Sequence, residues 1–366
     1  MKKRIGLSIY PEQSTFDKDK EYLDLGKKYG YSVVFTSILH FVKDKDAAEK
    51  AAKVLKSLKY AKELGYYTIL DVESESMKLI NLDNTLSKCK EYGVDCIRLD
   101  SPLRAPEIAF ITHNKANVDI QINMSNNDTL IDNIFDYGPI RSRLNGCHNF
   151  YPLKYTALSY DFFEKCNDKF LRNRLETSAF VGSHFGEMTT AVGWKELPTL
   201  EIQRFLNIKT QAKILFYSDQ IDNVLIGNAY ATENELKELS ELDRYRITFD
   251  IDKVDKLTNE EKEIILSDCH FRRGDLTEYF IRSTMPRIYF KDFNLPENNI
   301  KKTFNKGDIV IINKNDPKYK GELHIILKDN FENENNKYNF VGVIKEEEMK
   351  LMDLLNSNTH FSFEIK

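Results

Sequence analysis

The sequence predicts an α/β protein in which a (β/α)8 TIM-type barrel is followed by a small, mostly β C-terminal domain. Three observations predict it. Eight short β-branched runs alternate with longer amphipathic stretches before about residue 235, the pattern of βα units and a parallel sheet. The 366 residues exceed the size at which one core stops growing, roughly 250 to 300 residues, so a second unit is expected. After about Arg244, helical stretches give way to short strands with turn-rich joins. The expected division is residues 1–240 for the barrel and 241–366 for the β domain.

In chain order, the strand candidates are Arg4 to Tyr10, Ser32 to Ile38, Tyr67 to Val72, Asp95 to Asp100, Val118 to Asn123, Leu144 to His148, Ser178 to Ser183 and Asn223 to Asn228. The clearest helix runs from Asp46 to Leu64, where Ala51, Val54, Leu55, Leu58 and Ala61 recur at helical spacing and Gly65 follows as a cap. A doubly wound sheet is the alternative, but no GxGxxG follows the first strand and six strands would suffice for it. In the second domain, "YRITFDID", "GDIVIIN", "ELHIIL" and "NFVGVI" read as strands. The polar stretch Lys328 to Lys337, "KDNFENENNK", reads as a solvated hairpin connection.

Composition narrows the function classes. With 41% hydrophobic and 30% charged residues and a formal net charge of −4, the chain has core material but no field that calls for nucleic acid or an anionic membrane. Its five cysteines form no CxxC pair, so they read as thiols in a reducing compartment. The first apolar segment meets Pro11 and Glu12 too soon for a signal peptide, and no run is long enough to span a bilayer. A cytoplasmic location is expected.

Barrel enzymes place their chemistry at the C-terminal ends of the strands. Those ends carry Tyr10 and Glu12, Asp71 and Glu73, Arg98 and Asp100, Gln121, Asn123 and Ser125, His148 and Asn149, and Asn228. Residues two apart share a strand face, so Arg98 should lie one layer below Asp100, and Gly146 and His148 should point the same way. Polar residues at six strand ends outweigh the reading in which each only satisfies a neighbour. Carboxylates, amides and one histidine without metal-ligand spacing favour acid–base chemistry or polyol binding, and no metal or cofactor is called for. Glu201 opens a helix after a loop holding Trp194, whose indole is suited to stacking on a sugar or to anchoring the loop. In the second domain, Arg272, Arg273 and Arg282 are interleaved with Gly274, Asp275 and Thr277, and Lys320 precedes Gly321; these are candidate anion ligands.

The segments "GLSIYPEQST", "IRLD", "INMSN", "GCHNFYP", "LPTLE", "IDNVLIGNAYA", "RRGDLTEYFIRST" and "KYKGELHIIL" together resemble the MupG-like family, the 6-phospho-N-acetylmuramidases, in order along the whole chain. The resemblance implies a TIM-type barrel followed by a cyclophilin-like β domain. It also implies a cytosolic glycosidase that cleaves N-acetylmuramic acid 6-phosphate from N-acetylglucosamine in cell-wall recycling. Its partner would be this phosphorylated amino-sugar disaccharide, with a homodimer as one way to bring an arginine to the barrel mouth. His148 and Asn149 would then bind hydroxyl, acetamido or phosphate oxygens, and Tyr151 would cover a ring face.

One position departs from the pattern: the family's strand-five glutamate is Gln121 here, and an amide does not donate a proton in this range. Glycoside hydrolysis uses two carboxyl groups, or one where a 2-acetamido group assists. Asp100 is the first candidate, with Glu12, Asp71 and Glu201 as possible partners. Tyr10, Arg98, Gln121, Asn123 and Asn228 are read as binding residues. A non-catalytic phosphosugar-binding protein is the rival reading. An aldolase or isomerase would need a Schiff-base lysine at a strand end, and none is offered there.

Overall fold

The computed structural model describes residues 2–101, 103–190, 196–253 and 255–365. The chain divides into two compact units, Met1–Leu242 and Asp243–Lys366.

In the first unit, eight parallel strands form a closed barrel: β1 (Arg4–Ser8), β2 (Val33–Ser37), β3 (Tyr67–Val72), β4 (Cys96–Leu99), β5 (Asp119–Asn123), β6 (Leu144–Cys147), β7 (Glu176–Val181) and β8 (Asn223–Ile226). The barrel shuts where β8 pairs with β1, from Arg4↔Asn223 to Leu7↔Ile226. The helix expected after β2 spans Ala47–Glu63, and Gly65 takes the positive φ (79°) that a side chain would resist at this turn.

Alternation along the strands sorts the two faces. Val33, Phe35, Ile69, Cys96, Cys147, Phe180 and Leu225 cluster inside the barrel. Leu70, Val72, Ile97, Leu99, Ile120 and Ile122 belong to the layer under the helices. Asp71, Arg98 and Gln121 therefore fall on the interior side, and register aligns them: Asp71↔Arg98, Arg98↔Gln121, Gln121↔Asn145.

Parity at β6 is opposite to expectation. Cys147 is the inward residue, so Gly146 and His148 face the helix Tyr160–Arg172. A Cβ on Gly146 would come within 2.6 Å of the Phe170 ring, so glycine permits the close approach of this helix. His148 is fully buried and stacks on Phe163 at 4.8 Å. Its Nε2 bonds Asn167 Oδ1 at 2.7 Å, and its Nδ1 bonds Ser125 Oγ at 3.1 Å. That hydroxyl also accepts the Asn149 backbone N–H at 2.8 Å. With Nε2–H donating, the chain Asn149 N–H, Ser125, His148, Asn167 is satisfied throughout. His148 is thus a buried support for the strand end, and the expectation that it lines the mouth is corrected.

In the second unit, β9 (Ile247–Lys253), β10 (Phe280–Ser283), β11 (Thr303–Phe304), β12 (Asp308–Ile312), β13 (Leu323–Ile326), β14 (Phe331–Glu332), β15 (Tyr338–Ile344) and β16 (Phe361–Ile365) build a six-stranded sheet and a two-stranded ribbon. The sheet order is β10-β13-β12-β15-β9-β16, antiparallel except where β16 joins β9. The Asn-rich stretch is more ordered than its composition indicates. Phe331–Glu332 pairs with Thr303–Phe304, and Asn330, Asn335 and Asn336 take positive φ values of 58°, 57° and 48°.

Burial pushes the His148 imidazole down to about 4, opposed by its bond to Asn167. Its pKa when unfolded is near 6.5. As pH falls from there, the unfolded chain takes up the proton first, so stability is complete above about 6.5 and is lost progressively down to about 4. The loss should be on the order of 3 kcal/mol. Urea unfolding of the barrel at pH 7, 6 and 5 should show this decline, and His148→Gln, weaker at pH 7, should show a flatter one; parallel slopes for the two proteins would refute the assignment.

Candidate active site

At the C-terminal end of the barrel lies a cavity of about 490 Å³, lined by Phe35, Ser37, Leu39, His40, Asp71, Glu73, Arg98, Asp100, Asn149, Phe150, Phe180 and Thr190. This volume lies in the range of small-ligand sites. Its aromatic wall is interlocked: Phe180 meets Phe35 at 5.2 Å and Phe150 at 5.1 Å, both edge to face.

The polar centre is Arg98. Its guanidinium is buried, and Nη1 donates to Asp71 Oδ1 at 2.6 Å and to Asp100 Oδ1 at 2.9 Å. Nη2 donates to Asn149 Oδ1 at 2.5 Å. One cation thus organises the ends of three strands. The two carboxyl groups differ in surroundings, with side chains 7% exposed at Asp71 and 42% at Asp100. Burial pushes the Asp71 carboxyl up to about 6; Arg98 opposes the rise and the neighbouring Asp100 adds to it. The interior Cys147 thiol is pushed up to about 12 by burial, which leaves it protonated and poorly suited as a nucleophile.

Glu12 is held beside this cavity. Its Oε1 bonds His40 Nε2 at 2.7 Å and accepts from Gln13 Nε2 at 2.8 Å, with only 2% of the side chain exposed. Glu73 is the strand-end carboxylate noted from sequence, whereas His40 and the aromatic wall were not singled out there. His40 closes the apolar run after β2, and that strand-end position was the available signal.

Several expected residues serve the scaffold. Both oxygens of Glu201 are occupied: Arg204 donates through Nε at 2.6 Å and Nη2 at 2.7 Å, and the backbone N–H groups of Tyr155 and Ala157 donate at 3.0 Å each. Arg204 first, then the amides, bring its carboxyl down to about 2, so it is a fixed anion that anchors the loop carrying Tyr151 and is not set up to donate a proton. Asn228 bonds the backbone of Ser183 in both directions and donates to Gly186 O, clamping the loop after β7. Tyr10 is buried and donates its hydroxyl to Gly227 O. Asn123 Oδ1 accepts from Ser125 N at 2.8 Å, shaping the turn after β5. Gln121 is 2% exposed and donates to Asn145 Oδ1 at 2.7 Å, inside the barrel and not on the cavity wall. Tyr151 is half-buried, and Trp194 lies outside the described residues.

In the second unit, Arg272 Nη1 donates to Leu355 O at 2.5 Å, Arg273 pairs with Asp275 at 2.6 Å, and Lys320 Nζ donates to Phe293 O at 2.8 Å. Arg282 pairs with the buried Glu322 at 3.0 Å. Among the described residues, no group of three or more His, Cys, Asp or Glu is arranged to hold a metal ion. No described helix is long and apolar enough to cross a membrane.

The whole chain has relatives. A crystal structure of an uncharacterized B. cereus protein is 37% identical over 100% of both chains, with a TM-score of 0.90. That of a conserved Enterococcus faecalis protein of unknown function is 20% identical over 99% of this chain and 96% of the other, with a TM-score of 0.71, a likeness of fold. None of the curated proteins matches. The family model for the N-terminal part of 6-phospho-N-acetylmuramidases matches residues 5–241, and that for the C-terminal part matches residues 247–364. With the two matching in order from residue 5 to residue 364, the chain belongs to the 6-phospho-N-acetylmuramidase family.

Proposed function

We propose that this protein hydrolyses 6-phospho-N-acetylmuramyl glycosides at the barrel mouth, with Asp71 as proton donor and Asp100 as the second carboxyl group. The observation that carries this reading is the pair of carboxyl groups on one buried guanidinium at a cavity wall, in a chain that matches the family along its length. A general acid works best with a pKa near the operating pH, and Asp71 is the carboxyl raised toward it. Because both carboxyl oxygens contact the same nitrogen, at 2.6 and 2.9 Å, their separation cannot exceed the sum of those distances. That is the close spacing of retaining pairs; an inverting pair needs roughly 6.5 to 9.5 Å to admit a water between them. Asp100, the more open of the two, would act as nucleophile or would orient a 2-acetamido group that attacks in its place. Phe150 and Phe180 offer an apolar wall for a sugar face. Cell-wall recycling in the cytoplasm is the setting proposed with this activity.

Gln121 motivates the second reading, a phosphosugar-binding protein without turnover. Its place beside Arg98 in the register, with Nε2 bonded to Asn145, supports a structural role for the amide instead. The deciding experiment measures turnover of a synthetic 6-phospho-muramyl glycoside and of its unphosphorylated form. Hydrolysis of the phosphorylated compound alone supports the proposal, whereas tight binding of it with no product supports the second reading.

If Asp71 donates the proton, kcat/KM for the natural disaccharide should decline above about pH 6, as the acid form is lost. Asp71→Asn should lower that rate by roughly 10² to 10⁴-fold but spare a nitrophenyl glycoside, whose leaving group needs little protonation. Asp100→Asn should depress both substrates. Equal losses on the two substrates for Asp71→Asn would remove it from the acid role.

Gln121→Glu tests the strand-five position. With the side chain buried among Arg98 and Asn145, the substitution should change natural and activated substrates by the same factor. A gain confined to the natural disaccharide, on the scale of general acid catalysis at roughly 10² to 10⁴-fold, would return the proton donor to position 121.

A further inference from the structure

A second polar cluster lies in the C-terminal unit. Arg282 on β10 stands directly opposite His324 on β13, and Glu322, two residues earlier, shares the face of His324. The Glu322 side chain is fully buried; Arg282 Nη2 donates to its Oε2 at 3.0 Å, His324 Nε2 lies 3.2 Å from the same oxygen, and Arg287 Nη1 lies 2.9 Å from Oε1. Phe280 stacks on His324 at 4.8 Å, and Arg287 lies over the Tyr319 ring at 5.5 Å, so both groups are held in place.

Two guanidinium groups share the buried carboxylate, with Lys337, Asp316 and Glu334 around them. Donors are left over. Nε and Nη1 of Arg282, and Nε and Nη2 of Arg287, hydrogen-bond no described residue, and these side chains are 18% and 32% exposed. His324 Nδ1 is buried without a partner among the described residues.

We propose that Arg282, Arg287 and His324, arranged around Glu322, form an anion site in the second unit that takes a phosphate monoester. Glu322 holds the two planar forks; Arg287 keeps its Nε–Nη2 edge as a pair of N–H groups that matches phosphate oxygens, and Arg282 adds single donors at Nε and Nη1. The geometry retains Arg282 among the four basic residues singled out by sequence and adds Arg287 and His324. The site stands without the glycosidase reading, since its argument uses only the second unit.

The test is calorimetric titration of the full chain with inorganic phosphate, a hexose 6-phosphate and the same hexose unphosphorylated. The phosphorylated compounds should bind and the plain hexose should not. Tighter binding of the hexose phosphate would name a sugar phosphate as the natural source, and equal binding the free ion. Arg287→Ala and Arg282→Lys should each weaken phosphate binding by about tenfold or more, the loss expected for a hydrogen bond to a charged group. Should Arg282→Lys fail to fold, Arg287→Ala decides, because its side chain is one-third exposed and its loss leaves Glu322 paired with Arg282. Absence of phosphate binding by the wild type, or wild-type affinity in a folded Arg287→Ala, would show that the cluster serves the fold alone.

Discussion

Arg98 is the group on which the mouth of the barrel depends. A guanidinium withdrawn from water is tolerated where carboxylates and hydrogen bonds replace its hydration, and here Asp71, Asp100 and Asn149 do so at its two terminal nitrogens. The positions of these residues are therefore mutually determined. Asn149 is itself held by the relay through Ser125 and His148 to Asn167. A helix on the outside of the barrel thus helps to aim a cation on the inside, and the cavity wall inherits the rigidity of the packed core behind it.

Much of this was legible in the sequence because period-two alternation is a strong constraint. Eight β-branched runs and the polar residues closing them placed Asp71, Arg98 and Asp100 together, since alternate side chains of a strand point to opposite faces, here the helix layer and the barrel interior. The same rule failed at β6 because its residues Leu144, Asn145, Gly146 and Cys147 set a polar side chain beside a glycine, so hydrophobicity does not mark the inward face. The missed cue was Gly146 opposite the aromatic stretch "YDFFEKCNDKF": a glycine facing a helix is a close-packing signal, and it puts His148 on the helix side.

Other polar residues were read as ligands because a sequence does not reveal where loop backbone needs partners. Asn228 and Glu201 spend their oxygens on the amides of neighbouring loops, a requirement that arises only once those loops are folded against the barrel. The Glu201–Arg204 pair was within reach of sequence, being three residues apart at the start of a helical turn. His40 was less accessible, since its contact with Glu12 joins the loop after β1 to the loop after β2 and exists only in the assembled barrel.

The shared guanidinium also bears on which carboxyl group carries a proton. One cation between two carboxyl groups neutralises only one of them, so a proton on the other relieves the repulsion between them. Solvent decides where that proton resides: Asp71 lies in the wall while Asp100 opens to the mouth, and the more buried member gains more from being neutral. A sugar seated in the cavity would cover Asp100 and narrow that difference. By this argument Asp71, raised to about 6 by burial and kept in place by Arg98, is partly protonated near that pH, and the proposed acid role weakens as pH rises above it.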